Sequence, residues 1–154
     1  MSRHDPYDST SVAAVAFAGC ALLIALTGCA QLTDLVEKRH EERFDTYAQA
    51  ADGWVGVEMP SWIPDDATHL HNVATTDESQ SLIRVTSDSE LPDVCSPAER
   101  SGMPALTVDW APTEDWTVED WPDEVALCGD YEVVPYEDGW IGWFRATAPG
   151  QTPS

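Results

Sequence analysis

Between Val12 and Leu26 the chain runs through 15 residues without a charge, its longest apolar stretch. A helix that crosses a bilayer needs about 20 such residues, whereas the apolar part of an export signal needs about 7 to 15. The run therefore marks a boundary rather than a piece of the folded body. From Cys29 onward 126 of the 154 residues remain. That length suits one small domain with a single core and leaves little room for a second.

Leu26-Thr27-Gly28-Cys29 closes the run. This tetrad resembles the lipobox of bacterial lipoproteins. The resemblance implies cleavage between Gly28 and Cys29, a diacylglyceryl thioether on the Cys29 thiol, and a chain tethered outside the cytoplasm by lipid. A second near-match, Phe17-Ala18-Gly19-Cys20, carries Phe where an aliphatic residue is preferred and sits early in the run, so Cys20 reads as a small apolar filler. Residues 1 to 11 hold only Arg3 against Asp5 and Asp8. An export signal normally begins with clear positive charge, so a membrane-spanning anchor is the competing reading.

Without residues 1 to 28 the chain keeps six basic and 26 acidic side chains, a net charge of −20. Such a charge repels nucleic acid and anionic headgroups, so neither is an expected partner. Membrane attachment then falls to the lipid. Seven Trp, four Tyr and three Phe supply enough apolar surface to fold a chain whose acidity alone would suggest disorder.

In order, residues 32 to 52 read as a helix that spaces the domain from the bilayer: Leu32, Leu35, Val36, Phe44, Tyr47, Ala48 and Ala51 fall near helical spacing, Asp34 and Glu37 form a capping pair, and Gly53 is the stop. Pro60 and Pro64 break the chain around Trp62, which reads as a core plug. Residues 70 to 75 and 82 to 86 read as an antiparallel pair of strands, and 87 to 104 as a turn-rich connection. Leu106, Val108 and Trp110 alternate with Thr107 and Asp109, the period of a strand buried on one face. An acidic loop over 111 to 124 follows, with Asp-Trp at Asp115-Trp116 and Asp120-Trp121. Glu137-Asp138-Gly139 between residues 131 to 136 and 140 to 145 is the clearest hairpin signal. Pro135 assigns its strand to an edge or a bulge. The tail from Thr147, rich in Pro, Gly, Ser and Thr, reads as disordered.

Four constellations bear on chemistry. With Cys20 and Cys29 accounted for, Cys95 and Cys128 remain, and an extracytoplasmic pair outside any C-x-x-C is most simply a disulfide. His69 and His71 share a face if their segment is a strand, but two imidazoles are not a coordination sphere, and rim histidines are the expectation. His40-Glu41 begins like a zinc-protease signature, yet Phe44 stands where the second His is required. Trp62, Trp110, Trp140 and Trp143 read as core. Trp116 and Trp121, flanked by Asp115 and Asp120 in a loop, read as at best partly buried, and packing and ligand binding both stand open for them; they form the candidate ligand-binding group, since exposed indole faces stack on sugar rings and carboxylates accept from sugar hydroxyls. There is no G-x-S-x-G, no Gly-rich phosphate loop and no zinc-ligand spacing, so no catalytic residue, metal or cofactor is expected.

The pattern Trp62-Ile63-Pro64-x-Asp66-Ala67-Thr68, a Cys, a Trp segment, a second Cys and Trp140-x-Gly142-Trp143 resembles small lipoproteins of high-GC Gram-positive bacteria over about residues 54 to 146. That resemblance carries no activity with it. The expected fold is α+β, with an N-terminal signal and spacer helix, then over 54 to 146 a small antiparallel sheet of four or five strands with one disulfide. The expected role is a lipid-anchored, non-catalytic binding or accessory module of the cell envelope, whose partner is another envelope protein. Recognition of cell-wall glycan by the Trp-rich loop is the alternative, followed by a small hydrolase.

Overall fold

A computed structural model of the chain describes residues 38–153. The apolar run, Leu26 to Cys29 and the first part of the expected helix lie outside the described residues. Within them the chain forms seven strands and one short helix: β1 (Arg39–Thr46), α1 (Tyr47–Gly53), β2 (Thr68–Thr75), β3 (Gln80–Thr86), β4 (Cys95–Glu99), β5 (Glu124–Cys128), β6 (Tyr131–Tyr136) and β7 (Gly139–Arg145). All strands belong to one antiparallel sheet in the order β1-β2-β3-β7-β6-β5-β4. Two meanders, β1 to β3 and β4 to β7, therefore meet at the β3–β7 ladder. The sheet is larger than the four or five strands expected, and no described helix is long and apolar enough to cross a membrane.

The sheet is covered on both faces, which explains the strand sequences. On the first face Leu70, Ile83, Val85, Tyr131, Val133 and Phe144 pack under Ala50 of α1 and under Trp62, Ile63 and Ala67. On the second, Val73, Leu82, Val125, Val134, Ile141 and Trp143 pack under Val108, Trp110, Ala111 and Trp121. Neighbouring residues such as Val133 and Val134, or Trp143 and Phe144, thus point into different cores and are all buried. Strands enclosed on both sides lose the apolar–polar alternation of a half-exposed sheet.

Residues 39 to 46 are strand, not the helix expected over 32 to 52. β1 pairs with β2 from Arg39↔Thr75 to Thr46↔Thr68, and its acidic residues serve opposite faces. Glu41 Oε1 accepts from Trp110 Nε1 at 2.8 Å, and Glu42 Oε2 accepts from the Val55 N–H at 2.9 Å. Pairing with a strand some 30 residues away overrides a weak helical pattern. The helix that does form, α1, is capped by Thr46, whose hydroxyl accepts from the Gln49 N–H, and it ends at Gly53 as the sequence indicates.

The turn-rich segment between α1 and β2 carries the residues of the Trp62 to Thr68 pattern, and their roles are structural. Turns close by Ile63 N–H to Pro60 C=O and Ala67 N–H to Pro64 C=O, and the Ala67 C=O receives the Tyr47 N–H. Asp66 Oδ1 accepts from Ser87 Oγ at 2.6 Å, which lowers the Asp66 pKa. Trp62, 1% exposed, lies over Gly142, where a Cβ would stand 2.6 Å from Trp62 Cζ2. Gly142 is what lets the indole reach the sheet, so Trp62 and Trp140-x-Gly142-Trp143 form a single packing unit.

Cys95 and Cys128 lie directly opposite on β4 and β5 and form a disulfide with Cα atoms 4.1 Å apart. The bridge clips the outermost strand to its neighbour. β6 is an interior strand between β7 and β5, not the edge or bulge expected from Pro135: the β5–β6 ladder ends at Ala126↔Val133, two residues before Pro135, so its missing N–H leaves no β5 bond unmade, and on the other side Pro135 stands opposite Trp140. The β6–β7 hairpin turns at Glu137 and Asp138, with Glu137 at φ 50°. Past β7, Gln151 Oε1 accepts from the Thr147 N–H and hydroxyl, each at 2.9 Å.

Candidate functional site

The second face is closed by an irregular segment, residues 100 to 123, that includes the expected strand over Leu106 to Trp110. Leu106, Val108 and Trp110 do point together into the second core. Their backbone joins no ladder, however, and the Val108 N–H instead donates to Thr113 Oγ1 at 3.1 Å. The correct part of that expectation was the side-chain alternation. A strand also needs a partner edge, which sequence alternation does not supply.

Side chains hold this segment in place. Arg100 donates from Nε to the Pro122 C=O at 2.9 Å and from Nη2 to the Val118 C=O at 3.2 Å, and its Nη2 stands 3.7 Å from Asp123 Oδ1. From the sheet, Arg39 Nη1 donates to the Thr107 C=O, Arg84 Nη1 to the Trp110 C=O, and Glu41 accepts from the Trp110 indole. Arg84 also pairs with Glu137 and lies 5.3 Å from the Tyr136 ring centroid. These donors satisfy carbonyls that irregular backbone leaves open.

Within the segment the four candidate ligand-binding residues separate. Trp121 is 2% exposed and meets Trp143 edge to face at 5.1 Å. Asp120 Oδ2 accepts from the Thr117 N–H and hydroxyl, at 2.7 and 2.8 Å, bonds that hold its pKa below the ordinary 3.8. Trp116 is half-buried, edge-on to Trp121 at 4.9 Å and to Tyr136 at 5.7 Å, and Asp115 beside it is exposed. Burial pushes the Tyr136 hydroxyl pKa up, with the Glu137 and Asp115 charges adding to it. The structure thus brings Trp116 and Trp121 together but gives the Trp121 face to the core. Trp116, Asp115 and Asp120 are the members of the group that reach the surface, Asp120 with its Oδ2 engaged by Thr117.

The histidines are also divided. His69 adopts φ 47° at a bulge that adds a residue to β2 between Thr68 and His71, which breaks the alternation that would align the two side chains. His71 packs edge-on to Trp110 at 5.1 Å, and burial, followed by Arg43 and Arg84, lowers its pKa. Among the described residues no group of three or more His, Cys, Asp or Glu is placed to hold a metal.

A site the sequence did not announce lies at one end of this face. Glu132 occupies the polar position of Tyr131-Glu132-Val133, opposite Trp143, and yet it is only 7% exposed. Its Oε1 accepts from the Ser101 N–H at 2.6 Å and from Ser101 Oγ at 2.5 Å. Its Oε2 is buried without a donor. Glu132 lines a cavity of about 370 Å³ together with Ser101, Asp130, Trp143, Arg145 and Thr147. The cavity therefore combines an indole, two acids and one guanidinium. No family model matches this chain, and no match is found among curated proteins or solved structures.

Proposed function

We propose that the chain is an exported accessory or binding module of the bacterial cell envelope, anchored by lipid on Cys29 at the outer face of the cytoplasmic membrane and without catalytic activity. The observation that carries this reading is the Cys95–Cys128 disulfide, since such bonds persist in oxidising compartments and are rare where thiols are kept reduced. It agrees with the apolar run ending in Leu26-Thr27-Gly28-Cys29 and with the net charge of −20 that follows, which leaves attachment to the lipid rather than to headgroups. The non-catalytic part rests on the sequence, which holds none of the nucleophile or phosphate-loop signatures. Palmitate labelling in a bacterial host tests the reading. Label on the wild type and none on Cys29→Ala is expected, and equal labelling of both would overturn it.

Cell-wall glycan is the second reading, favoured by the half-buried Trp116 beside the exposed Asp115. Trp121 adds no second stacking face, because it is 2% exposed. Retention on insoluble peptidoglycan that is lost in Trp116→Ala would support this reading. A wild type that does not sediment with the wall would remove it.

A further inference from the structure

We infer that the cover of the second face is acid-sensitive: a proton on His71 favours release of the stretch from Thr107 to Thr113, with Trp110, from the sheet. This behaviour lies beyond the envelope role and does not depend on the lipid anchor.

Strand register places His71 between two cations. On β2 it stands directly opposite Arg43 of β1 and directly opposite Arg84 of β3, so the three side chains form one row across the second face. A neutral imidazole separates the two guanidiniums. An imidazolium turns the row into three adjacent cations, and like charges directly opposite are destabilising. The acids around the row are already engaged. Glu41 accepts from the Trp110 indole and lies 3.5 Å from Arg43, Asp109 lies 3.9 Å from Arg43, and Glu137 pairs with Arg84.

Trp110 closes the row from above. It is 8% exposed and stands edge-on to the His71 ring at 5.1 Å. His71 Nδ1 is buried without a hydrogen-bond partner. An imidazolium carries N–H on both nitrogens, so a proton on the ring leaves Nδ1 as a buried donor with no acceptor. With Trp110 lifted away, water reaches the ring, solvates that N–H and screens the row. Burial first, then Arg43 and Arg84, lower the His71 pKa, and they outweigh Glu41 and Asp109, which act the other way. A basic group whose pKa is lower in the closed form favours the open form as pH falls.

The stretch is built so that it can part from the sheet without unpairing a strand. It joins no ladder and is held by bonds from Arg39, Arg84 and Glu41. Segments of this kind open locally at less cost than the strands beneath them. The closed form remains the major one, since Val108 and Trp110 share a core with Val73 and Leu82. Acid raises the population of the open form.

Amide hydrogen exchange of the full-length protein in detergent at about pH 7.5 and about pH 5, corrected for the intrinsic pH dependence of exchange, tests this. Residues 107 to 113 are expected to be less protected than the β3–β7 ladder and insensitive to low urea, the mark of local opening. Their protection is expected to fall at least about threefold on acidification. In His71→Gln the fall is expected to vanish. Arg43→Gln, at an exposed side chain, is expected to keep the fold and reduce the fall. Protection that stays constant or rises at low pH would overturn this, the rise showing that the Trp110 ring holds the imidazolium as a cation. So would either variant falling as the wild type does, or residues 107 to 113 exchanging only together with the β3–β7 ladder. None of these outcomes bears on palmitate labelling at Cys29, so the two readings fail separately.

Discussion

On one face of the sheet Trp62 and Ile63 sit among Leu70, Ile83, Val133 and Phe144, closed by short turns and by α1. On the other, residues 100 to 123 reach across without regular structure and are held by Arg39, Glu41, Arg84, Arg100 and Glu132. The first cover is short and engages several of its carbonyls in turns, so a few side-chain bonds suffice beside the apolar contact, such as those of Glu42 and Asn72 to the Val55 N–H and C=O. A longer irregular cover needs charged donors for its carbonyls, and those donors bring polar groups to the edge of a core. The acid Glu132 and the half-buried His71 lie on this second face, whereas the buried polar side chains of the first, Asn72 and Ser81, are uncharged.

Truncation of the two central indoles measures whether the covers are equally integral. Trp62→Ala and Trp121→Ala are each expected to destabilise the domain by about 3 to 5 kcal/mol in chemical denaturation. If Trp121→Ala cost no more than an exposed substitution, the second cover would be a detachable loop and the comparison would fail. Arg100→Ala isolates the polar tethering, since it removes charge-assisted bonds to the carbonyls of Pro122 and Val118. A loss of about 2 kcal/mol is expected, together with faster proteolysis confined to residues 100 to 123. Uniform cleavage across the chain would contradict a local role.

Acid titration gives the smallest effect. The folded pKa of His71 lies below its ordinary 6.5, chiefly through burial. As pH falls below 6.5 the unfolded chain takes up this proton first, so stability declines down through the folded pKa and then levels off. Asp77, held at about 2 by hydrogen bonds from Thr75 and Ser79, and Asp66 and Asp120, also lowered from 3.8, give a second decline at lower pH. His71→Gln is expected to flatten the first decline and leave the second. Identical profiles for variant and wild type between pH 5 and 7 would show that Trp110 does not shield the imidazole.

Several elements were legible in the sequence because their signals are local. Glu137-Asp138-Gly139 marks the β6–β7 hairpin, the apolar residues of β2 and β3 mark that pair, and Cys95 and Cys128 are the pair left over for a bond. What was missed depends on partners distant in the chain. β1 is charged because it is an edge strand, and its acids answer donors at Trp110 and Val55. β4 and β5 carry little strand character in Cys95-Ser-Pro-Ala-Glu99 and Glu124-Val-Ala-Leu-Cys128, and the disulfide across them adds what pairing lacks. The acidic neighbours of Trp121 point to a loop residue at best partly buried, yet it is 2% exposed, because Asp120 turns back to Thr117 and Asp123 lies beside Arg100. The Glu132 cavity was invisible for a related reason: a Glu between apolar residues is the normal pattern of a strand with one wet face, and this sheet has none at that position.

The most direct test is peptide mass mapping of the full chain recovered, without reductant, from the membranes of cells that produce it. The expected result is an N-terminal peptide beginning at Cys29 and carrying the mass of a diacylglyceryl group, with Cys95 and Cys128 recovered as one linked pair. A chain that retains residues before an unmodified Cys29, and yields Cys95 and Cys128 as free thiols, would contradict the account.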